Sequence, residues 1–129
     1  VMGRKTYEKI LSFDIDWPYI GYKTIVVSSN RHYKTKTSDT FLLNDISSAS
    51  IEKLRKESAR NIWLVGGGEI NTQFLSLQQI DEIRLFVAPF NLGNGIKLFP
   101  NISKENGFEC VSTQAFETGI VYLNYKKKN

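Results

Sequence analysis

The stretch Asn61-Ile62-Trp63-Leu64-Val65-Gly66-Gly67-Gly68-Glu69-Ile70 decides the fold class of this chain. Its first half is a continuous apolar run, which is typical of a strand buried on both faces of a sheet. After the glycines, Ile70, Phe74 and Leu77 recur at the spacing of a helix that extends over residues 69–80. The sequence therefore predicts a strand, a tight glycine turn and a helix, which is the unit from which parallel sheets are built.

Helix-forming and strand-forming patterns alternate upstream of this unit. Apolar residues at helical spacing predict a short helix over residues 5–11 and an exposed amphipathic helix over residues 50–59. Between these helices, β-branched and aliphatic runs predict strands over residues 23–28 and 41–43.

Downstream of the unit only strands are predicted, over residues 81–88, 108–111 and 120–123. Glu117-Thr118-Gly119 joins the last two as a hairpin. We therefore expect a three-layer α/β fold, with a mostly parallel central sheet and an antiparallel hairpin at its C-terminal edge.

The composition is that of a globular domain. Of the 129 residues, 41% are hydrophobic and 23% are charged, and no apolar run approaches the roughly 18 residues that a membrane span needs. Cys110 is the only cysteine, and its apolar context predicts a packed thiol. We expect a cytoplasmic protein, in which the sequon Asn101-Ile102-Ser103 carries no glycan.

The charge balance is moderately basic. The formal net charge is +4, and three of the cations adjoin at Lys126-Lys127-Lys128, which we interpret as a solvated tail. This excess suits a small anionic ligand. Without platforms of alternating aromatic and basic residues, it does not predict nucleic-acid binding, and binding through the basic tail is only a third hypothesis. No metal site is predicted.

Two polar loops follow predicted strands with residues suited to phosphate. Gly3-Arg4-Lys5-Thr6 places a glycine, two cations and a hydroxyl at a helix N-terminus, where the helix dipole favours an anion. Ser28-Ser29-Asn30-Arg31 places hydroxyls and a guanidinium at a strand end. Each loop taken alone is better explained as an ordinary polar turn, but the carboxyl ends of parallel strands share one edge, where ligands bind.

The third loop, Val65-Gly66-Gly67-Gly68-Glu69-Ile70, is the most informative because adjoining glycines cost chain entropy and add no core contacts. Asn71 stands where the G-x-G-x-x-G fingerprint needs its last glycine, so that dinucleotide motif is not matched. Two explanations stay open. Either a pyrophosphate presses against the backbone, or the helix simply turns tightly onto the sheet.

The order and spacing of these loops resemble the dihydrofolate reductase-like superfamily. Val1-Met2-Gly3-Arg4-Lys5-Thr6-Tyr7-Glu8, Ile25-Val26-Val27-Ser28-Ser29 and the glycine loop are similar to that family's three NADPH-contacting segments. The resemblance implies that Arg4, Ser28 and Ser29 lie near the 2'-phosphate, Lys5 and Thr6 near the pyrophosphate, and residues 67–70 near the pyrophosphate and nicotinamide half. The candidate cofactor-binding residues are Gly3, Arg4, Lys5, Thr6, Ser28, Ser29, Arg31, Val65, Gly66, Gly67, Gly68, Glu69 and Ile70.

Later residues resemble one branch of that superfamily, the C-terminal reductase domain of bacterial riboflavin biosynthesis. The similarity lies in residues 81–89, which end in Val87-Ala88-Pro89, and in residues 92–99, which contain Gly93-Asn94-Gly95. Folate-reducing members hold the substrate carboxylate with an arginine where this chain has Gly21-Tyr22-Lys23. Tyrosine offers no bidentate fork, so we expect dihydrofolate to be a poor substrate.

No catalytic residue is named from the sequence. In the family, the first strand and an acidic proton-relay residue would precede Val1, so we expect a domain of residues 1–129 that lacks an N-terminal strand and helix. We interpret Asp14 and Asp16 as solvated loop residues and His32 as a surface residue. Trp17 and Tyr22 either line a pocket or anchor their loop.

The resemblance thus implies an NADPH-dependent reductase that transfers hydride to a small pterin-, pyrimidine- or riboflavin-precursor-like heterocycle. The alternative hypothesis is a catalytically inactive domain of the same fold that binds nucleotides or forms oligomers. Relatives of this branch are commonly dimers, so a homodimer with a small-molecule substrate and no nucleic-acid or membrane partner is expected.

Overall fold

A parallel sheet of three short strands forms the first part of the molecule. The computed structural model describes residues 1–102 and 107–128, and in it β1 (Met2–Gly3), β2 (Thr24–Val27) and β3 (Thr40–Leu43) lie in the order β1-β2-β3. Gly3 pairs with Val27, and Val27 pairs with Leu43. The carboxyl ends of the three strands therefore meet at one edge.

Helices cover both faces of this sheet because its side chains alternate between them. The helices are α1 (Arg4–Leu11), α2 (Ser48–Glu57) and α3 (Gly68–Ser76). Met2 and Val26 pack with Tyr7 of α1 on one face. On the other face, Val27 packs with Ile51 of α2, and with Ile70 and Phe74 of α3. The predicted three-layer α/β arrangement is confirmed.

The predicted strand over residues 61–65 is wrong in its extent. The segment runs alongside β1, where the Val65 amide donates to the Val1 carbonyl (2.9 Å) and the Gly3 amide to the Gly66 carbonyl (2.7 Å). Only one isolated parallel bridge results, between Met2 and Gly66. A ladder needs a partner strand, and the two residues of β1 offer too few groups to extend it.

The remaining strands form a second, antiparallel sheet. β4 (Glu82–Val87), β5 (Phe108–Ala115) and β6 (Val121–Lys127) lie in the order β4-β6-β5, with a register shift between Cys110 and Ser112. The C-terminal hairpin is confirmed. Instead of extending the parallel sheet, however, it joins β4 in a sheet of its own.

Three local predictions are corrected. Cys110 is exposed instead of packed, because β5 is an edge strand with little covering it. Lys126 and Lys127 belong to β6 instead of a tail, although both are exposed as expected of solvated residues. Helix α3 ends at Ser76, before the predicted residue 80, because Gln78 adopts a φ of 56° that no α-helix accommodates.

Two further predictions concern the glycosylation sequon and membrane spans. The sequon residue Ser103 lies outside the described residues, so the prediction for residues 101–103 stays untested. Over the described ranges, no helix has both the length and the apolar character needed to cross a membrane.

Candidate functional site

The first helix and the glycine loop meet at the carboxyl edge of the parallel sheet. The hydrogen bond from the Gly3 amide to the Gly66 carbonyl places the start of α1 beside the start of α3. A Cβ at Gly67 would lie 3.3 Å from the Thr6 hydroxyl oxygen, and a Cβ at Gly3 would lie 2.9 Å from Ile70 Cγ1. Two of the predicted phosphate loops are thus in direct contact.

Both helices begin without a side-chain cap. Gly3 and Gly67 occupy the N-cap positions of α1 and α3, and neither helix has a side-chain hydrogen bond at its N-terminus. The first-turn amides of a helix have no intrahelical acceptor, so those of α1 and α3 stay open to a ligand. First-turn amides at the positive ends of two neighbouring helices form a favourable environment for a phosphate group.

The first turn of α1 adds positive charge where the helix dipole is already positive. Arg4 and Lys5 stand there, and no acidic residue accompanies them. Cations at this end are unfavourable for a helix alone. An anion bound at this edge would offset that repulsion, because it attracts both the cations and the positive end of the helix.

Two glycines of the loop are required for different structural reasons. A side chain at Gly68 would overlap the Lys97 carbonyl oxygen and come within 2.9 Å of Pro100 Cδ. Packing against this later segment therefore accounts for the missing side chain at Gly68. Gly66 has a φ of 108°, a conformation that other residues rarely adopt.

Two residues that the sequence analysis missed hold the later segment against α3. The Asn71 side-chain amide donates to the Leu98 carbonyl (3.1 Å), and the Thr72 hydroxyl donates to the Pro100 carbonyl (2.8 Å). Asn71 stands where the dinucleotide fingerprint needs a glycine. The hydrogen bond to Leu98, which is distant in sequence, explains why an asparagine is useful at this position.

The loop after β2 is ordered by its own hydrogen bonds. The Asn30 amide donates to the Ser28 hydroxyl (3.2 Å), the His32 amide to the Asn30 side chain (3.0 Å) and the Tyr33 amide to the Asn30 carbonyl (3.2 Å). Ser28 is buried, whereas Ser29 and Arg31 are exposed. Because Gly3 pairs with Val27, this loop begins beside Arg4.

Arg4 contacts this loop through an aromatic ring. Its guanidinium carbon lies 5.3 Å from the centroid of Tyr33, and its Nε lies 3.5 Å from a carboxylate oxygen of Glu8. Burial, followed by the negative charge of Glu8, raises the pKa of Tyr33. Tyr33 therefore stays a neutral phenol at physiological pH. No pattern in the sequence points to this ring.

The other predicted residues lie at varying depth along the edge. Val65 is half-buried, and Lys5 and Glu69 are exposed. The structure thus brings the three predicted loops to one place, with Arg4, Thr6 and the residues around Gly67 at its centre.

Two acidic residues, a histidine and a tryptophan are the remaining candidates from the early loops. Asp14, Asp16 and His32 are exposed. Trp17 anchors its loop, because its ring packs edge-on against Tyr7 with 5.3 Å between centroids. In residues 1–102 and 107–128, no three His, Cys, Asp or Glu side chains are grouped to hold a metal ion.

Tyr22 and Lys23 lie where folate-reducing members carry the carboxylate-binding arginine. Tyr22 is 67% exposed. The neighbouring Lys23 donates to a Glu57 carboxylate oxygen at 2.8 Å, and this hydrogen bond lowers the pKa of Glu57. The ammonium of Lys23 is therefore already paired within the chain.

Comparison with known proteins places these features in a family. Residues 20–122 match the RibD C-terminal domain family. The uncharacterized proteins YyaP and YwjB of Bacillus subtilis (strain 168) are 31% and 30% identical to the chain over 109 and 120 residues. The chain covers 57% of YyaP, which is less than two thirds of its length, and 68% of YwjB, with 84% and 93% of the chain matched.

Solved structures show the same fold. A putative riboflavin biosynthesis protein from Shewanella sp. PV-4 has a TM-score of 0.86 and 26% identity, covering 99% of this chain and 72% of its own. A pyrimidine reductase-like protein from Corynebacterium diphtheriae has a TM-score of 0.71 and 14% identity, covering 99% and 75%. RibD of Acinetobacter baumannii has a TM-score of 0.69 and 14% identity, covering 98% and 46%.

The match over most of the chain, the relative that is 30% identical and the common fold agree with the resemblance found in the sequence. The chain belongs to the RibD C-terminal domain family, within the dihydrofolate reductase-like superfamily, and has its reductase-type α/β fold.

Proposed function

We propose that this chain binds NADPH at the carboxyl edge of its parallel sheet and serves an NADPH-dependent reductase. The observation that carries the proposal is the contact between two uncapped helix starts, at Gly3 and Gly67, beside the cations of α1. Adjacent open amides fit the two phosphates of a pyrophosphate bridge. When bound, NADPH supplies the hydride that reduces the substrate.

The chain's own residues divide the binding work. The first-turn amides of α1 and α3 would bind the pyrophosphate, with the Thr6 hydroxyl facing Gly67 between them. Arg4, Ser29 and Arg31 would bind the 2'-phosphate through charge-assisted hydrogen bonds. The buried Ser28 hydroxyl already accepts the Asn30 amide, so we assign Ser28 to shaping this loop as well as to donating a hydrogen bond.

The substrate belongs to the same proposal. We assign a small pterin-, pyrimidine- or riboflavin-precursor-like heterocycle, and we expect dihydrofolate to be reduced poorly. The exposed Tyr22 has no guanidinium, and Lys23 is paired with Glu57. Loss of a bidentate pair with a carboxylate corresponds to about 2–3 kcal/mol.

Calorimetric titration of the protein at its natural length tests the proposal. Saturable binding of NADPH, tighter than that of NADH, is expected. NADPH oxidation in the presence of each heterocycle class then separates a reductase from a domain that only binds the nucleotide. Absence of saturable NADPH binding would contradict the proposal at its first step.

A second candidate function, nucleotide binding or oligomer formation without turnover, has one observation in its favour. Large apolar side chains lie exposed after β4, including Phe90 (78%), Leu92 (82%) and Ile96 (94%). Such side chains favour burial against another surface. We propose a homodimer on this ground, and sedimentation equilibrium at several concentrations tests it.

A cytoplasmic location stays a prediction.

The domain boundary is a further part of the proposal. Within the described residues, β4 pairs only with β6, and the segment before Gly66 pairs only with β1. We propose that an additional strand and helix, expected from the family resemblance, complete this domain across those free edges. Limited proteolysis of the natural-length protein tests whether it resists cleavage as one unit.

A further inference from the structure

Tyr33 lies beside the site but has no role in the function proposed above. The centroid of its ring is 5.3 Å from the guanidinium carbon of Arg4. That separation is within the range over which an aromatic face attracts a cation. The Tyr33 ring can therefore determine the position of the Arg4 guanidinium group.

The ring itself is firmly supported. It meets the ring of Tyr7 edge-on, with 6.4 Å between centroids and 85° between planes. Tyr7 is fully buried, and its hydroxyl accepts the amides of Lys36 (2.8 Å) and Thr37 (3.1 Å). The Tyr33 amide is bonded to the Asn30 carbonyl. Backbone and ring are thus both held.

Without this ring, Arg4 has one neighbour of opposite charge on its own helix. The Glu8 carboxylate, one turn along α1, is 3.5 Å from Arg4 Nε. Both side chains are substantially exposed, and pairs of this kind are weak and flexible. Glu8 alone would therefore hold the guanidinium only loosely on the helix surface.

We infer that Tyr33 is a positioning residue for cofactor selectivity: its ring holds the Arg4 guanidinium toward the Ser28 loop, where it receives the 2'-phosphate of an adenine nucleotide. The inference rests on the proposed function. It adds that the preference for a 2'-phosphorylated nucleotide depends on an aromatic face as well as on the cation. The hydroxyl of Tyr33 is not required.

Titration with 2',5'-ADP and with 5'-AMP tests the inference, because these probes differ only in the 2'-phosphate. The natural-length protein is compared with Tyr33→Phe, Tyr33→Leu, Tyr33→Met and Arg4→Gln, with far-ultraviolet circular dichroism to check folding. Tyr33→Phe should keep the preference for 2',5'-ADP. The two non-aromatic variants should lower that preference by about two- to fivefold.

The double variants Arg4→Gln/Tyr33→Leu and Arg4→Gln/Tyr33→Met give the readout that a purely structural role would not produce. In the Arg4→Gln background, loss of the ring should leave the remaining preference unchanged. Equal weakening of both probes, an unchanged preference in the non-aromatic variants, or loss of preference in Tyr33→Phe would overturn the inference and leave the proposed function standing. Failure of the wild-type protein to bind either probe would overturn both.

Discussion

Helix α2 and the helices α1 and α3 begin in opposite ways. At the start of α2, the Ser50 amide donates to the Ser47 hydroxyl (3.2 Å) and the Ser47 amide to the Ser50 hydroxyl (2.9 Å). At the starts of α1 and α3 stand Gly3 and Gly67, with no side-chain hydrogen bond. The protein therefore closes the start of one helix with side-chain hydrogen bonds and begins the two others without any.

The difference follows the position of each helix. A glycine cap costs only a few tenths of a kcal/mol relative to serine, so open amides are compatible with a stable fold. The open starts are the two that touch each other beside Arg4. We interpret the capped start as structural and the open starts as the phosphate-binding part of the molecule.

Arg4→Gln sharpens this comparison most. If Arg4 bonds the 2'-phosphate, its loss should weaken NADPH binding by about 1.5–3 kcal/mol more than NADH binding, because bonds to charged groups have that value. Calorimetric titration with both nucleotides measures the difference. Lys9→Gln, in the last turn of the same helix, is the matched control and should change neither affinity. Equal losses for NADPH and NADH in Arg4→Gln would refute the assignment.

Gly68→Ala separates packing from binding within the glycine loop. The new methyl group would overlap the Lys97 carbonyl and approach Pro100, so the free energy of unfolding should fall by about 1–3 kcal/mol. Urea denaturation measures the loss. Gly95→Ala, where nothing lies within 4 Å, should be nearly neutral. An unchanged stability of Gly68→Ala would show that the packing explanation of this glycine is wrong.

Ser47→Ala tests the capped start. Removal of the cap should lower the free energy of unfolding by about 1 kcal/mol, as at other serine caps. Because α2 is assigned no contact with the nucleotide, the affinity for NADPH should stay the same. Ser48→Ala, one position along and exposed, serves as the control. A loss of NADPH affinity in Ser47→Ala would remove the distinction drawn between the helix starts.

Local patterns were sufficient to predict much of the fold. The spacing of apolar residues located all three helices to within a few residues, and the C-terminal hairpin followed from alternation and a turn. The stretch before Gly66 shows the limit. Its apolar run correctly indicated an extended segment, but the expected burial on both faces is wrong, since Trp63 is 69% exposed. Whether that segment joins a ladder depends on the length of β1, which the run itself does not contain.

The site was predictable where chain order alone brings residues together. Parallel strands placed Arg4 beside the Ser28 loop, as expected. The contact of Arg4 with Tyr33 depends on how that loop folds back through Asn30. The reason for Gly68 depends on Lys97, which is distant in sequence. The prediction that Cys110 is packed was wrong for a similar reason, because a strand is buried only where another element covers it.

A titration of backbone amide resonances with NADPH tests the central claim most directly. The amides of Arg4, Lys5 and Thr6 and those of Gly68, Glu69 and Ile70 should shift together and saturate at one affinity. The amides at the capped start of α2, residues 48–50, should stay in place and act as the internal control. Saturable binding that shifts amides elsewhere, and leaves both open helix starts unchanged, would contradict the account.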